Sequence, residues 1–152
     1  CSVKDSNDRL DFNIYIPRYE ALATAIKNQF DIEAKTYPTG FEEKSFKALL
    51  VAIATKESSL LIDNNHKLFL GYGANEANRE RYENKPVEQI SWAANVLRKA
   101  FNNQNNNYAK CNSKENSEKI RCILKIYGGV SDYEYSYIVI DYFNQWKSYF
   151  CS

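Results

Sequence analysis

The sequence predicts a mainly α-helical single domain stapled by disulfides, and three observations lead there. Apolar residues recur at steps of three and four over most of the chain, the spacing that gives a helix one buried face. At 152 residues the chain fits one domain and can bury roughly 70% of its unfolded surface, so a core is within reach without metals. The four cysteines, Cys1, Cys111, Cys122 and Cys151, follow no zinc spacing: there is no Cys-x-x-Cys, and the single histidine, His66, is distant. An even number at loop-like and terminal positions suits two disulfides in an oxidising compartment.

Three pairings are open to four cysteines. The favoured set is Cys111–Cys122, closing a short polar loop, with Cys1–Cys151 tying the two ends. A competing reading makes Cys1 a lipid-bearing first residue of a lipoprotein, which strands Cys151. The chain opens with no signal peptide, so an exported protein would have lost it.

Residues 1–16 are polar and mixed, with a short alternation in Phe12, Ile14 and Ile16. From Pro17, acceptable in a first turn, Tyr19, Leu22, Ile26 and Phe30 recur at helical spacing. Pro38 and Gly40 make residues 31–44 a loop. Ser45 is the expected N-cap of the next helix, which carries Phe46, Leu49, Leu50, Ile53 and Ala54 to Glu57. Residues 60–84 lose periodicity and contain Gly71 and Gly73, a long, partly structured loop. Asn84 and Pro86 open a helix with Val87, Ile90, Ala93, Ala94, Leu97 and Phe101 on one face, ended by the Asn-rich stretch 102–107. Ile120, Ile123, Leu124 and Tyr127 mark another, stopped by Gly128 and Gly129. The last runs from about Tyr133 to Phe150; its Tyr137–Ile140 run has strand propensity, but Tyr135, Ile138, Tyr142 and Trp146 keep helical spacing for longer than a usual strand.

Charge excludes one class of function. Twenty basic against nineteen acidic residues leave a net charge of +1, with no basic stripe, so no nucleic-acid partner is expected. No apolar run approaches a membrane span. Twelve tyrosines suit sugar rings, though they also fill ordinary cores.

Glu57 is the residue with a chemical signature. It lies three, four, seven and eight residues from Ala54, Ile53, Leu50 and Leu49, on the buried face of its helix near the C-terminal end. The helix dipole and burial both disfavour its charge, and a raised pKa is what a general acid needs near neutral pH. On geometry alone, a Glu turned to solvent or paired with Lys56 or Lys67 is the simpler account.

The string Ala52-Ile53-Ala54-Thr55-Lys56-Glu57-Ser58-Ser59 resembles the catalytic segment of the soluble lytic transglycosylase and goose-type lysozyme family, where an apolar helix ends in Glu-Ser. Leu70-Gly71-Tyr72-Gly73-Ala74 falls where that family has a Gly-Leu-Met-Gln loop, and Gln89 to Leu97 resembles the helix after it. Ile126-Tyr127-Gly128-Gly129 resembles its Ala-Tyr-Asn-Ala-Gly segment, and Tyr137–Tyr149 its aromatic final helix. The likeness spans residues 45–150. There are departures. The Met-Gln pair is missing, Gly128 stands where Asn is expected, and no downstream aspartate matches the goose-type pattern, Asp63 being the nearest.

The resemblance implies a lysozyme-like fold and a periplasmic or secreted monomer acting on peptidoglycan glycan strands. Glu57 would be catalytic, with Ser58, Tyr72 and Tyr127 contacting substrate. It implies no cofactor or metal. With no second carboxylate, it implies cleavage of the MurNAc–GlcNAc bond to a 1,6-anhydro product, assisted by the sugar's acetamido group. Small members of this kind serve secretion machines, including type IV systems, so such proteins are expected partners. The alternatives are a hydrolytic lysozyme and a non-catalytic binding or structural module on the same fold.

Overall fold

Ala48 to Thr55 form the longest buried run among the described residues: eight consecutive residues, every one buried. They belong to a helix that packs on several sides at once, and the rest of the fold is arranged around it. The structure is a computed structural model and describes residues 12–62, 67–71, 80–129 and 134–152. A 3-10 turn, Phe12–Ile14, leads into α1 (Tyr15–Glu20), α2 (Thr24–Ala34) and the central α3 (Glu43–Ser58). After the loop come α4 (Pro86–Phe101), a 3-10 segment (Asn106–Cys111), α5 (Asn116–Gly128) and α6 (Tyr135–Cys151). Among the described residues every regular element is helical. None is long and apolar enough to cross a membrane.

The most extensive packing is α6 along α3; α2 lies against α3 and α4, and α5 joins α4 and α6. Aromatic rings close the α3–α6 end. Trp146 is fully buried, donates from Nε1 to Thr55 Oγ1 at 2.9 Å, and takes edge contacts from Phe12 and Tyr149 and a stacked one from Phe150. Thr55 passes its own hydroxyl hydrogen to the Val51 carbonyl at 2.8 Å, so this buried polar pair is satisfied.

Several expectations need correction. The alternation at Phe12, Ile14 and Ile16 is helical, a 3-10 turn running into α1, and Phe12 is buried against Trp146. The helix expected from Pro17 through Phe30 is two helices broken at 21–23, where Ala23 turns extended with ψ 144°. Its apolar positions Tyr19, Leu22, Ile26 and Phe30 are nonetheless all buried, because both pieces face the same core. The following loop begins later, since α2 continues to the buried Ala34. Ser45 is not the N-cap of α3. Glu42 is, and Ser45 in the first turn accepts from the Glu42 N–H at 2.8 Å, satisfying a donor that the helix start leaves open.

The Cys111–Cys122 bridge is present, with Cα atoms 5.7 Å apart. It pins the 3-10 segment to α5. The Cys1–Cys151 pairing depends on Cys1, which lies outside the described residues. Gly129 ends α5 with φ +90°, a conformation that favours glycine, as the Gly-Gly stop predicts.

Candidate functional site

The end of α3 is built under strain. Ser59, its C-cap, and the next residue, Leu60, have φ of 55° and 60°, two successive left-handed residues without a glycine. Each costs about 1–2 kcal/mol, and the surroundings hold them in place. The Leu60 side chain is only 2% exposed within the core. Arg18 of α1 donates to the Ser59 carbonyl at 3.2 Å, and the Leu61 N–H closes on the Ser58 carbonyl at 3.0 Å. Glu57 sits in this last turn, half-buried.

The segment 67–71 is brought against that turn by two helices. Gln89 of α4 is fully buried and acts as a clamp. Its Oε1 accepts from the Leu70 N–H at 3.1 Å, and its Nε2 donates to the carbonyls of Lys67 and Tyr82 at 2.9 and 2.8 Å. From α5, the Tyr127 hydroxyl donates to the Leu70 carbonyl at 2.8 Å and approaches that of Gly71 at 3.3 Å. Phe69 and Leu70 point into the core. Gly71 follows with φ +59°, and its Cα faces the Glu57 carboxyl so closely that a Cβ there would overlap it. A side chain there would both strain the backbone and push the Glu57 carboxyl aside.

Tyr135, first residue of α6, completes the surroundings of Glu57. Its ring lies on Gly128, where any Cβ would strike it, and the Lys56 ammonium stands 5.6 Å from the ring centre. The hydroxyl is buried and makes no well-formed hydrogen bond, yet the Glu57 carboxyl is near enough to act on it. Burial first, and then the charge of Glu57, hold this phenol well above its ordinary pKa. It therefore stays protonated, a neutral donor beside the carboxyl.

The expected site residues are only partly assembled. Glu57 and Tyr127 converge on the same loop, both reaching Gly71. Ser58 is turned inward, 3% exposed, with its hydroxyl donating to the Ala54 carbonyl of its own helix. Tyr127 is 8% exposed, and its hydroxyl holds the loop. Lys67, weighed as a partner of Glu57, pairs with Glu83 at 3.2 Å. Tyr72, Asp63 and His66 lie outside the described residues. Among the described residues no group of three or more His, Cys, Asp or Glu is placed to hold a metal.

Three residues that sequence reasoning did not assign to the site belong to it: Gln89, Gly71 and Tyr135. Gln89 had a signal, a polar side chain four residues before Ala93 on an otherwise apolar face. Tyr135 heads the apolar stripe of α6 and looks like core until α3 is packed against it. Comparison of the chain with known family models, curated proteins and solved structures finds no match to any of them.

Proposed function

We propose that this protein cleaves peptidoglycan as a lytic transglycosylase, with Glu57 as general acid and then general base. The observation that carries the reading is the placement of the Glu57 carboxyl. It lies in the last turn of a buried helix that ends in two left-handed residues, against bare glycine backbone and beside a buried neutral phenol. Strain of this kind clusters at functional sites. The resemblance of the Glu-Ser segment and of the four segments after it adds the substrate class.

Protonated Glu57 donates to the glycosidic oxygen between N-acetylmuramic acid and N-acetylglucosamine. The bond to the anomeric carbon breaks, and the acetamido carbonyl of the same sugar supports the positive centre. Glu57, now a carboxylate, takes the proton of that sugar's C6 hydroxyl, whose oxygen closes the 1,6-anhydro ring. Atoms and charge balance without a cofactor. A periplasmic or secreted location, and partners in a secretion machine that needs the wall opened, belong to the same proposal.

A second reading, a non-catalytic wall-binding module, has its own support. Ser58 and Tyr127, two expected sugar contacts, direct their hydroxyls to carbonyls of the protein itself. One experiment separates the two. Purified peptidoglycan is digested with wild type and Glu57→Gln, and the released muropeptides are analysed by mass spectrometry. Loss of the general acid should lower the rate by roughly a hundredfold to ten-thousandfold, and the wild-type products should carry anhydro ends. Reducing ends would make the enzyme a hydrolase. No release by folded wild type on a substrate that a control enzyme cleaves would leave the binding module.

A further inference from the structure

We infer that the groove beside the Cys111–Cys122 bridge binds a ligand carrying two or more oxyanion groups, phosphate or carboxylate. The groove has a volume of about 570 Å³ and is lined by Lys110, Lys114, Glu118, Arg121, Cys122 and Lys125. That volume is in the range of small-ligand sites. Four cations face one carboxylate there, in a chain whose net charge is only +1. The positive charge is thus concentrated locally although the sequence as a whole is balanced.

Among the described residues none of these four cations is in an ion pair. Arg121 and Lys125 are four residues apart on α5, a spacing at which like charges repel across one helix face. An anion between them removes that repulsion. Arg121 is positioned by an aromatic ring and not by an acid: its guanidinium lies 4.7 Å from the centre of Tyr137. Its Nε is buried without a hydrogen-bond partner, so a ligand in the groove would meet the guanidinium through its Nη groups. A planar guanidinium fixed in this way suits two-pronged recognition of phosphate or carboxylate.

The disulfide makes the groove a built feature. Cys111 closes the 3-10 segment and Cys122 lies on α5, and their bond holds Lys110 and Lys114 at the same groove as Arg121 and Lys125. Glu57 is not among the residues lining the groove, so an anion there is independent of the proposed activity.

The test is a titration of the full chain with inorganic pyrophosphate and, separately, with citrate, at physiological ionic strength, followed by backbone amide NMR. At least one probe should saturate a single site with a midpoint below about 1 mM, its shifts confined to the 3-10 segment and the facing turns of α5. Lys110→Gln and Arg121→Gln should each weaken it about tenfold, while Lys99→Gln, an exposed charge on α4, should leave it unchanged. Saturation by pyrophosphate alone identifies a phosphate ligand, and by citrate alone a carboxylate one. Shifts that grow without saturating, or an equal loss with Lys99→Gln, mean ordinary screening of surface charge and overturn the site.

Discussion

From Ala48 to Thr55 every residue of α3 is buried, whereas in the turn that follows Lys56, Glu57 and Ser59 are each only half-buried. The two stretches share one helix and one set of backbone hydrogen bonds, and they are held by different forces. The body is apolar but for Thr55, which Trp146 and Val51 satisfy, and it gains its stability from area removed from water. The last turn depends on groups reaching in from elsewhere: Arg18 from α1, Gly71 from the loop that Gln89 and Tyr127 clamp, and Tyr135 from α6. A rigid body is what allows a strained end to persist, since two left-handed residues relax unless the surrounding structure over-determines them. The structure thus separates a stretch that stabilises from a stretch that positions.

Substitution in each stretch sharpens that contrast. Ile53→Ala removes a fully buried side chain from the body and should cost about 2–5 kcal/mol in urea unfolding. Activity per folded molecule should change little. Gly71→Ala should do the reverse. The positive φ costs about 1–2 kcal/mol, and the new methyl must displace the Glu57 carboxyl, the movable end of a flexible side chain. If the proposed activity holds, muropeptide release should therefore fall well beyond what the unfolded fraction explains. Equal stability losses with equal activity losses would show that body and turn are one cooperative unit without division of labour.

Much of the fold could be read from spacing alone, for a physical reason. An apolar stripe reports which face of a helix is buried, and α4, α5 and α6 follow their stripes closely. The same reasoning understated α3, because a helix surrounded on several sides buries small residues such as Ala48 and Ala52 outside any single stripe. It missed the break after α1, because Ala21-Leu22-Ala23 contains no helix breaker; the chain turns there to place Tyr19 and Phe30 on one core. It found the Cys111–Cys122 bridge, since the polar segment between them is short enough to close. For the candidate site, the sequence singled out Glu57 by its place on the buried face of its helix, whereas Gln89 showed only as a polar residue on an apolar face and Tyr135 as ordinary core. Both act across the fold, on residues at sequence distances that no local pattern reports.

The smallest predicted effect is the most informative about Glu57's surroundings. Tyr135→Phe removes a hydroxyl that is buried without a well-formed hydrogen bond, so at neutral pH stability should stay within about 1 kcal/mol of wild type or rise. The difference should open at alkaline pH. The folded-state pKa of Tyr135 is raised well above its ordinary 10.0, first by burial and then by the Glu57 charge. As pH rises past the unfolded value the unfolded chain releases this proton and the native one does not. The stability present below that pH is then lost, with a slope of about 1.4 kcal/mol per pH unit for each such group. Tyr108, pushed up to about 12 by burial, contributes the same sign in both proteins. Urea unfolding from neutral pH into this range should give a shallower decline for Tyr135→Phe than for wild type. Parallel declines would mean that Tyr135 ionises as an open phenol does, and the neutral donor placed beside Glu57 would have to be given up.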